Sequence, residues 1–438
     1  MSYFPEKQIT KDFDYNHDLD NNDNFSPDNE WLVYDIRTDS GGIAASSRIE
    51  KVNIKTGEEK VVYQIENNHV FGPGVGAVSF SPVTNEVVFI HGLRNCTEEN
   101  PYQQWRRTGV IVDEDQENKS IFMDARNVNF PYIKGALRGG THRHEFSGDG
   151  NWVGFTYNDA IMQALEKSTG EKYNLRTIGV SRRGNGIKVK ETNYGENIDG
   201  QWFSAIVVKV VPNPKPGSDD ISHATGDSWI GKNGYLKPDR TRQLARGFIG
   251  TVKDNSRKNV DEVFVVDIPK DIEIEGDFGS LEGTTEDLPM PPKGATQRRL
   301  TFTANYTQPG CLGIVRSNAE GSLLAFLAKD KNGIKQIFIM NPNGGEMNQV
   351  TFHESDVEGS LRWHPDGESV FYVCGGSIQQ CKIGKEDFEK RYSTISKPST
   401  VSPTNLVVSH DGNTLAFNRI VFLEENPSKQ IFVINLKD

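Results

Sequence analysis

Cysteine is scarce in this chain: Cys96, Cys311, Cys374 and Cys381 are the only four in 438 residues. Their spacing fits no zinc motif, and reduced, partly buried thiols are the expected state. Long apolar runs are also missing. None approaches the ~18 residues of a membrane-crossing helix, so no membrane partner is expected. The opening, MSYFPEKQIT, has no apolar signal core. That places the chain as given in the cytoplasm, or in the periplasm if a leader was trimmed. Positive charge is in deficit, with 49 Lys and Arg against 60 Asp and Glu, a net charge of −11. This balance argues against nucleic acid, whose phosphates need a basic surface. It does not exclude an anionic small substrate, because a basic pocket can sit inside an acidic protein. No glycine-rich loop follows a strand and opens a helix, and no Gly-x-Ser-x-Gly elbow marks a serine hydrolase.

What is present is repetition. A small polar turn followed by an apolar strand begins at Ser26 (SPDNEWLVYD), Ser81 (SPVTNEVVFIHG), Ser147 (SGDGNWVGFTYND), Ser317 (SNAEGSLLAFLAKD), His364 (HPDGESVFYVC) and Ser409 (SHDGNTLAFN). A weaker copy fits at Asn197 (NIDGQWFSAIVVKV). Repeats of roughly 40–50 residues with several strands each predict a β-propeller, whose blades bury their faces against one another. Seven blades use residues 1–438 as one all-β domain. The polar turn joins the inner strand of each blade to the second. The chain stops after the third strand of the last blade, and Lys7-Gln-Ile-Thr matches the outer-strand phrases Arg299-Leu-Thr-Phe and Gln349-Val-Thr-Phe. The N-terminus is therefore expected to complete the last blade and close the ring. Two polar stretches, about 212–246 and 271–293, read as insertions, the first a candidate lid over one mouth of the channel.

Strand direction sorts the candidate site residues onto two faces. The recurring turns, with His364 and His410, lie on one face (the bottom), where turn hydrogen bonding is their expected role. The top face collects His69, His91, Arg106, Arg107, Arg138, His142, His144, Asn158 and Asp159, all near blades two and three. His142 and His144 stand at i and i+2 of an inner strand, which directs both rings to one side. Two or three imidazoles with a carboxylate suit a divalent transition metal such as Mn, Fe, Ni or Zn. His142, His144 and His91 are the candidate ligands. Arg106, Arg107 and Arg138 suit a carboxylate or phosphate.

The phrases Phe89-Ile-His-Gly, Arg106-Arg-Thr-Gly-Val, Leu137-Arg-Gly-Gly-Thr-His-Arg-His, Phe155-Thr-Tyr-Asn-Asp, Pro216-Gly-Ser-Asp-Asp and Gln297-Arg-Arg-Leu-Thr-Phe-Thr span most of the chain. They resemble an uncharacterised bacterial family of TolB-like, WD40-like propellers related to the oligogalacturonate lyases. Those lyases are similar seven-bladed propellers that hold a manganese-type metal with histidines and a glutamine, including a His-x-His on one inner strand. His142 and His144 match that pair. The family glutamine three residues before it is Gly139 here, and the lyases carry their pair later in the chain.

The resemblance implies a carbohydrate-active enzyme, most concretely a metal-assisted lyase performing β-elimination on an acidic oligosaccharide bound at the top of the channel. His91, Arg107 and Arg138 are its candidate catalytic groups. His69, Arg106, Asn158 and Asp159 are its candidate substrate contacts. A non-catalytic module binding a protein or sugar is the alternative. An epimerase or hydrolase is a third reading, for which Asp35, Asp159 and Asp330 at second-strand ends would matter.

Overall fold

The computed structural model describes residues 3–38, 42–116, 119–190, 195–384 and 391–437. Its strands form seven four-stranded antiparallel sheets, the blades of a propeller. From the channel outward, blade one runs Asn16–Asp18, Trp31–Arg37, Arg48–Asn53 and Glu59–Gln64, and blade two Val75–Phe80, Glu86–Gly92, Arg107–Asp113 and Lys119–Phe122. Blade three is Gly139–Phe146, Trp152–Asp159, Thr177–Ile187 and Gly200–Ile206, and blade four Ala224–Trp229, Ala245–Lys253, Asn259–Asp267 and Thr296–Arg299. Blade five is Cys311–Ser317, Leu324–Lys329, Lys335–Met340 and Asn348–Gln349, and blade six Val357–Trp363, Ser369–Cys374, Ser377–Lys382 and Tyr392–Thr394. Blade seven takes Thr404–Val408, Thr414–Leu423 and Asn426–Asn435 from the C-terminus and Glu6–Gln8 from the N-terminus.

That last pairing closes the ring as expected, with Glu6 opposite Ile434 and Gln8 opposite Phe432. Arg419 grips Glu6 with two hydrogen bonds of 2.6 and 2.7 Å. The apolar core lies between blades. Val33 and Ile49 of blade one pack with Val78, Phe89 and Val110 of blade two, and Phe371 of blade six packs with Leu415 and Phe417 of blade seven. Second strands are covered on both sides, and every residue of Trp152–Asp159 is buried.

The recurring phrase works by local hydrogen bonding. Ser147 Oγ donates to Asp149 (2.6 Å) and accepts from Trp152 N (3.1 Å), while Gly150 N reaches Ser147 O (2.9 Å) at φ 70°. Ser409, Asp411 and Gly412 repeat this, and Asn29 supplies the left-handed residue at Ser26. His364 keeps its turn role, accepting from Asp366 N (3.3 Å), while the His410 ring serves between blades instead, and the two rings reach Gly412 O and Phe25 O (3.2 Å each).

Two expectations about the blades are corrected. The phrase at Asn197 is the outer strand of blade three, since Gly200–Ile206 pairs outside Thr177–Ile187. The inner strand of blade four, Ala224–Trp229, lies inside the stretch read as an insertion, and a small hairpin of Tyr235–Leu236 with Arg242–Gln243 replaces its polar turn. The segment reaches the bottom mouth through Trp229, Gly231 and Lys232. The 271–293 insertion packs along blades three and four, with Ile272, Leu281 and Leu288 buried. All four cysteines are free.

A feature absent from the sequence pattern recurs at the channel. The inner strands of blades two to seven each shift register midway. Left-handed residues stand at those points: Ala77, Arg143, Gly226, Gly313, Ser360 and Asn405. Such bulges raise local twist and re-aim side chains, here at the tightest circumference of the ring. In blade three, His142 faces Thr156 and Glu145 faces Gly154, so Arg143 and His144 together oppose Phe155. His142 and His144 therefore leave the strand on opposite faces, which corrects their expected shared face.

Candidate functional site

Gly140 and His142 share one face of the inner strand of blade three, with their cross-strand partners Asn158 and Thr156. A Cβ on Gly140 would lie 2.2 Å from Gln104 O and 2.9 Å from Arg107 Cγ. Glycine here lets the segment before the third strand of blade two lie against this face. Arg176 enters ahead of the third strand of blade three, its Nε 3.4 Å from Asn158 Oδ1. Its carbonyl accepts from Ala224 N (3.0 Å), which sets His223 beside it. Gln104, Asn158, Lys172, Asn174, Arg176 and His223 line a top-face cavity of about 320 Å³.

Among the described residues, no carboxylate lines this cavity. Arg107 bonds Tyr102 Oη (2.9 Å), Arg143 bonds Asn22 (3.3 Å) and Arg176 bonds Asn158, and none of the three has an ion-pair partner among the described residues. Burial, then Arg107, Arg176 and Arg143, hold the His142 pKa well below 6.5. Burial and Arg176 lower His223, whose buried Nε2 has no partner among the described residues. Arg176 itself is lowered by burial and Arg107. The result is a cavity lined by Lys172, Arg176 and a neutral His223, with Arg107, Arg143 and a neutral His142 beside it, in an acidic protein.

The tautomer of His142 follows from its neighbour. Thr156 Oγ donates to His142 O (3.3 Å), so its oxygen accepts from His142 Nδ1–H at 3.2 Å. The Nε2 lone pair is left without a partner among the described residues, as a proton acceptor requires.

The other expected site residues are distributed elsewhere. His91 is buried between blades one and two, its Nδ1 2.5 Å from Gly92 O and its Nε2 3.1 Å from Tyr63 Oη. Burial lowers its pKa to about 4. His144 is fully buried toward blade two, where Thr141 links its Nε2 (2.9 Å) to Asp124. Arg106 is paired with Glu196, which also pairs with Arg126 (2.9 Å). Arg138 and Asp159 form a fully buried pair, and Asp159 also caps the helix Ala160–Thr169. His69 is exposed and stacked on Phe71, with ring centroids 5.0 Å apart. Asp35 accepts from Arg37 (2.6 Å) and Ala77 N (3.0 Å), and Asp330 holds a turn through Asn332 N (2.8 Å). Of the residues named from sequence, Arg107, His142 and Asn158 meet. Gln104, Lys172, Arg176 and His223 were missed. Only Arg176 and His223 carried a signal, as a cation and an imidazole at the starts of strands on the top face.

These positions also decide the metal question for this residue set. No group of three His, Cys, Asp or Glu among the described residues could hold an ion. His91, His142 and His144 point to three different surroundings, and Tyr63 already occupies Nε2 of His91. The expected ligand set does not fit a transition metal.

Fold and site together define a seven-bladed β-propeller with a cation-lined top pocket. The chain belongs to the family of the Escherichia coli (strain K12) "Uncharacterized protein YidR", to which it is 36% identical over 409 residues, 92% of each chain. Residues 74–196 match the family described as "Protein of unknown function (DUF3748)". That stretch holds blade two and most of blade three, with Gln104, Arg107, His142, Asn158 and Arg176. Three solved structures share the fold. An oligogalacturonate lyase from Vibrio parahaemolyticus is 9% identical with a TM-score of 0.56, over 99% of this chain and 93% of that one. An oligogalacturonate lyase in complex with manganese is 10% identical with a TM-score of 0.55, over 100% and 98%. The polysaccharide lyase Uly1 is 11% identical with a TM-score of 0.50, over 100% of each chain.

Proposed function

We propose that the protein acts on a carboxylated oligosaccharide at the top pocket, by β-elimination with no step that requires a metal from His91, His142 and His144. The observation that carries this reading is the set of arginines without carboxylate partners beside a histidine with a free Nε2. Arg107 and Arg176 take the uronate carboxylate and stabilise the enolate that forms from it. His142 Nε2 takes the α-proton, the electron pair becomes the C4–C5 double bond, and the glycosidic oxygen leaves from C4 with the C4–O electrons and takes the proton from His142 Nε2–H, which restores the neutral base. Bound carboxylate offsets the arginine charges and raises the His142 pKa toward the working range, so the base strengthens when substrate arrives. Asn158, held by Asn174 (3.2 Å) and Arg176, fixes a sugar hydroxyl. The likeness to lyase folds supports the choice of substrate class and carries no residue across.

The test is incubation with oligogalacturonates and other oligouronides, followed by ultraviolet absorbance of the unsaturated uronate. Product that forms far more slowly in His142→Ala and Arg107→Gln is the expected result. Absence of product across the oligouronides overturns the lyase reading, and calorimetric binding without product makes the pocket a binding module.

A further inference from the structure

We infer that the propeller axis holds a binding site for one small monovalent anion, formed by Asn22, Arg143, Arg316 and Arg362. These residues come from blades one, three, five and six and meet across the channel. Asn22 Oδ1 accepts from both Arg316 Nη2 (2.6 Å) and Arg143 Nη2 (3.3 Å), and Arg362 Nη2 reaches Asn21 O at 3.4 Å. Three guanidinium groups thus converge on one dipeptide. Yet four buried N–H donors there have no acceptor among the described residues: Asn22 Nδ2 and the Nε of Arg143, Arg316 and Arg362. Buried donors are almost always satisfied, so a cluster of four points to an acceptor bound among them.

Charge points the same way. Four guanidinium groups, Arg143, Arg246, Arg316 and Arg362, meet three carboxylates, Asp23, Glu145 and Asp227. Arg246 engages Asp227 and lies 3.2 Å from Glu145, which Arg316 approaches only to 3.6 Å. This set holds one more guanidinium than carboxylate, with Arg176 adjoining it at Arg143 and Asp227, and an uncompensated buried charge is costly. A single negative charge that accepts hydrogen bonds completes the set. Burial and mutual repulsion lower Arg316 to about 10 and lower Arg362 as well. The cavity of about 200 Å³ at the bottom mouth, with Asp23, Glu145, Trp229 and Trp363 in its lining, gives a route in. This site shares Arg143 with the surroundings of the top pocket and does not rest on the activity proposed there.

The experiment is a thermal melt of the full chain in sodium chloride, sodium acetate or sodium gluconate at one ionic strength, with a bromide-soaked crystal as the structural arm. A saturable rise in Tm of about 2–4 °C is expected in chloride or acetate and not in the bulkier gluconate. Response to chloride alone assigns a halide, and response to acetate as well assigns a small carboxylate. An anomalous bromide peak is expected beside Asn22 Nδ2. Asn22→Asp supplies the charge from within, so it should melt above wild type in gluconate and lose the anion response. Arg362→Gln should lose the response too. If that variant does not fold, Asn22→Asp decides. Equal melting in all three salts, or Asn22→Asp melting below wild type, overturns the site and leaves the donors to water.

Discussion

Arg138 and Asp159 form an ion pair with no solvent exposure on either side chain, Nη2 lying 2.8 Å from Oδ2. Arg138 Nη2 also reaches Asp287 O at 2.9 Å, and its Nη1 reaches Thr284 O. Asp159 caps Ile161 N and Met162 N and takes the Tyr157 hydroxyl at 2.8 Å. The pair therefore ties the top of blade three to the helix that follows it and to the 271–293 insertion. Two residues whose types suit substrate binding are a staple instead.

Removing one partner of this pair should cost about 3–5 kcal/mol, since the other charge stays buried and uncompensated. Asp159→Ala should lose more than Arg138→Met, because it also removes a helix cap worth about 1 kcal/mol. Urea unfolding gives the magnitudes, and limited proteolysis should show earlier cleavage within 271–293. Unchanged proteolysis there would remove the staple role.

His142 is held low chiefly by burial and then by Arg107 and Arg176. If it is the base, kcat/KM should lose its activity only on the acid side, well below pH 6.5. Arg107→Gln should move that acid limb to higher pH, because a repelling charge is gone. His142→Ala should lower kcat about 10²–10⁴-fold. An acid limb that stays in place in Arg107→Gln would count against His142 as the base.

Asp124 is buried, and burial pushes its pKa up to about 7 despite hydrogen bonds from Gly109 N (2.6 Å) and Thr141. Between about pH 4 and pH 7 the unfolded chain has released this proton and the folded chain has kept it. The contribution of Asp124 to stability falls as pH rises through that window, by about 1.4 kcal/mol per unit. Asp124→Asn should remove that fall. His91, lowered to about 4, has the opposite sign. Below pH 6.5 the unfolded chain binds a proton that the folded chain refuses, so stability falls as pH drops toward 4. His91→Gln should flatten that limb. Unfolding free energies at several pH values separate the two.

Added manganese should leave the melting temperature unchanged, and His142→Ala/His144→Ala should leave metal content unchanged, because the two rings leave the strand on opposite faces. Near-stoichiometric metal in wild type that the double variant loses would overturn this arrangement.

Ile9 is 4% exposed beside the N-terminal strand that closes the ring and packs with Ile431 and Val433. Ile9→Ala should cost about 2–5 kcal/mol. Glu6→Gln, at a partly exposed pair with Arg419, should cost far less. Equal costs would mean that the charge pair, and not burial, holds the closure.

The bottom-face turns and most strands were legible because they are local. A serine bonds an aspartate two residues on, a left-handed Gly or Asn follows, and an apolar run is buried on both sides. Ring closure was legible from the same local phrases. Blade four was misplaced because its turn became a hairpin while a turn-like phrase occurs in the outer strand of blade three.

Sequence by itself determined the blade number, the closure and the side of the ring on which each strand end lies. These follow from short-range hydrogen bonding and the two-residue alternation of strands. Only the tertiary structure decided the partners of the top-face residues. One extra residue at Arg143 sends His142 and His144 to opposite faces, and Asp159 meets Arg138 and a helix end before any substrate could. The arginines at the axis come from blades far apart in sequence, and no spacing encodes their meeting at Asn21 and Asn22. Charge repulsion, burial and hydrogen-bond satisfaction act across space, so the chemistry of the site appears only when the ring is closed.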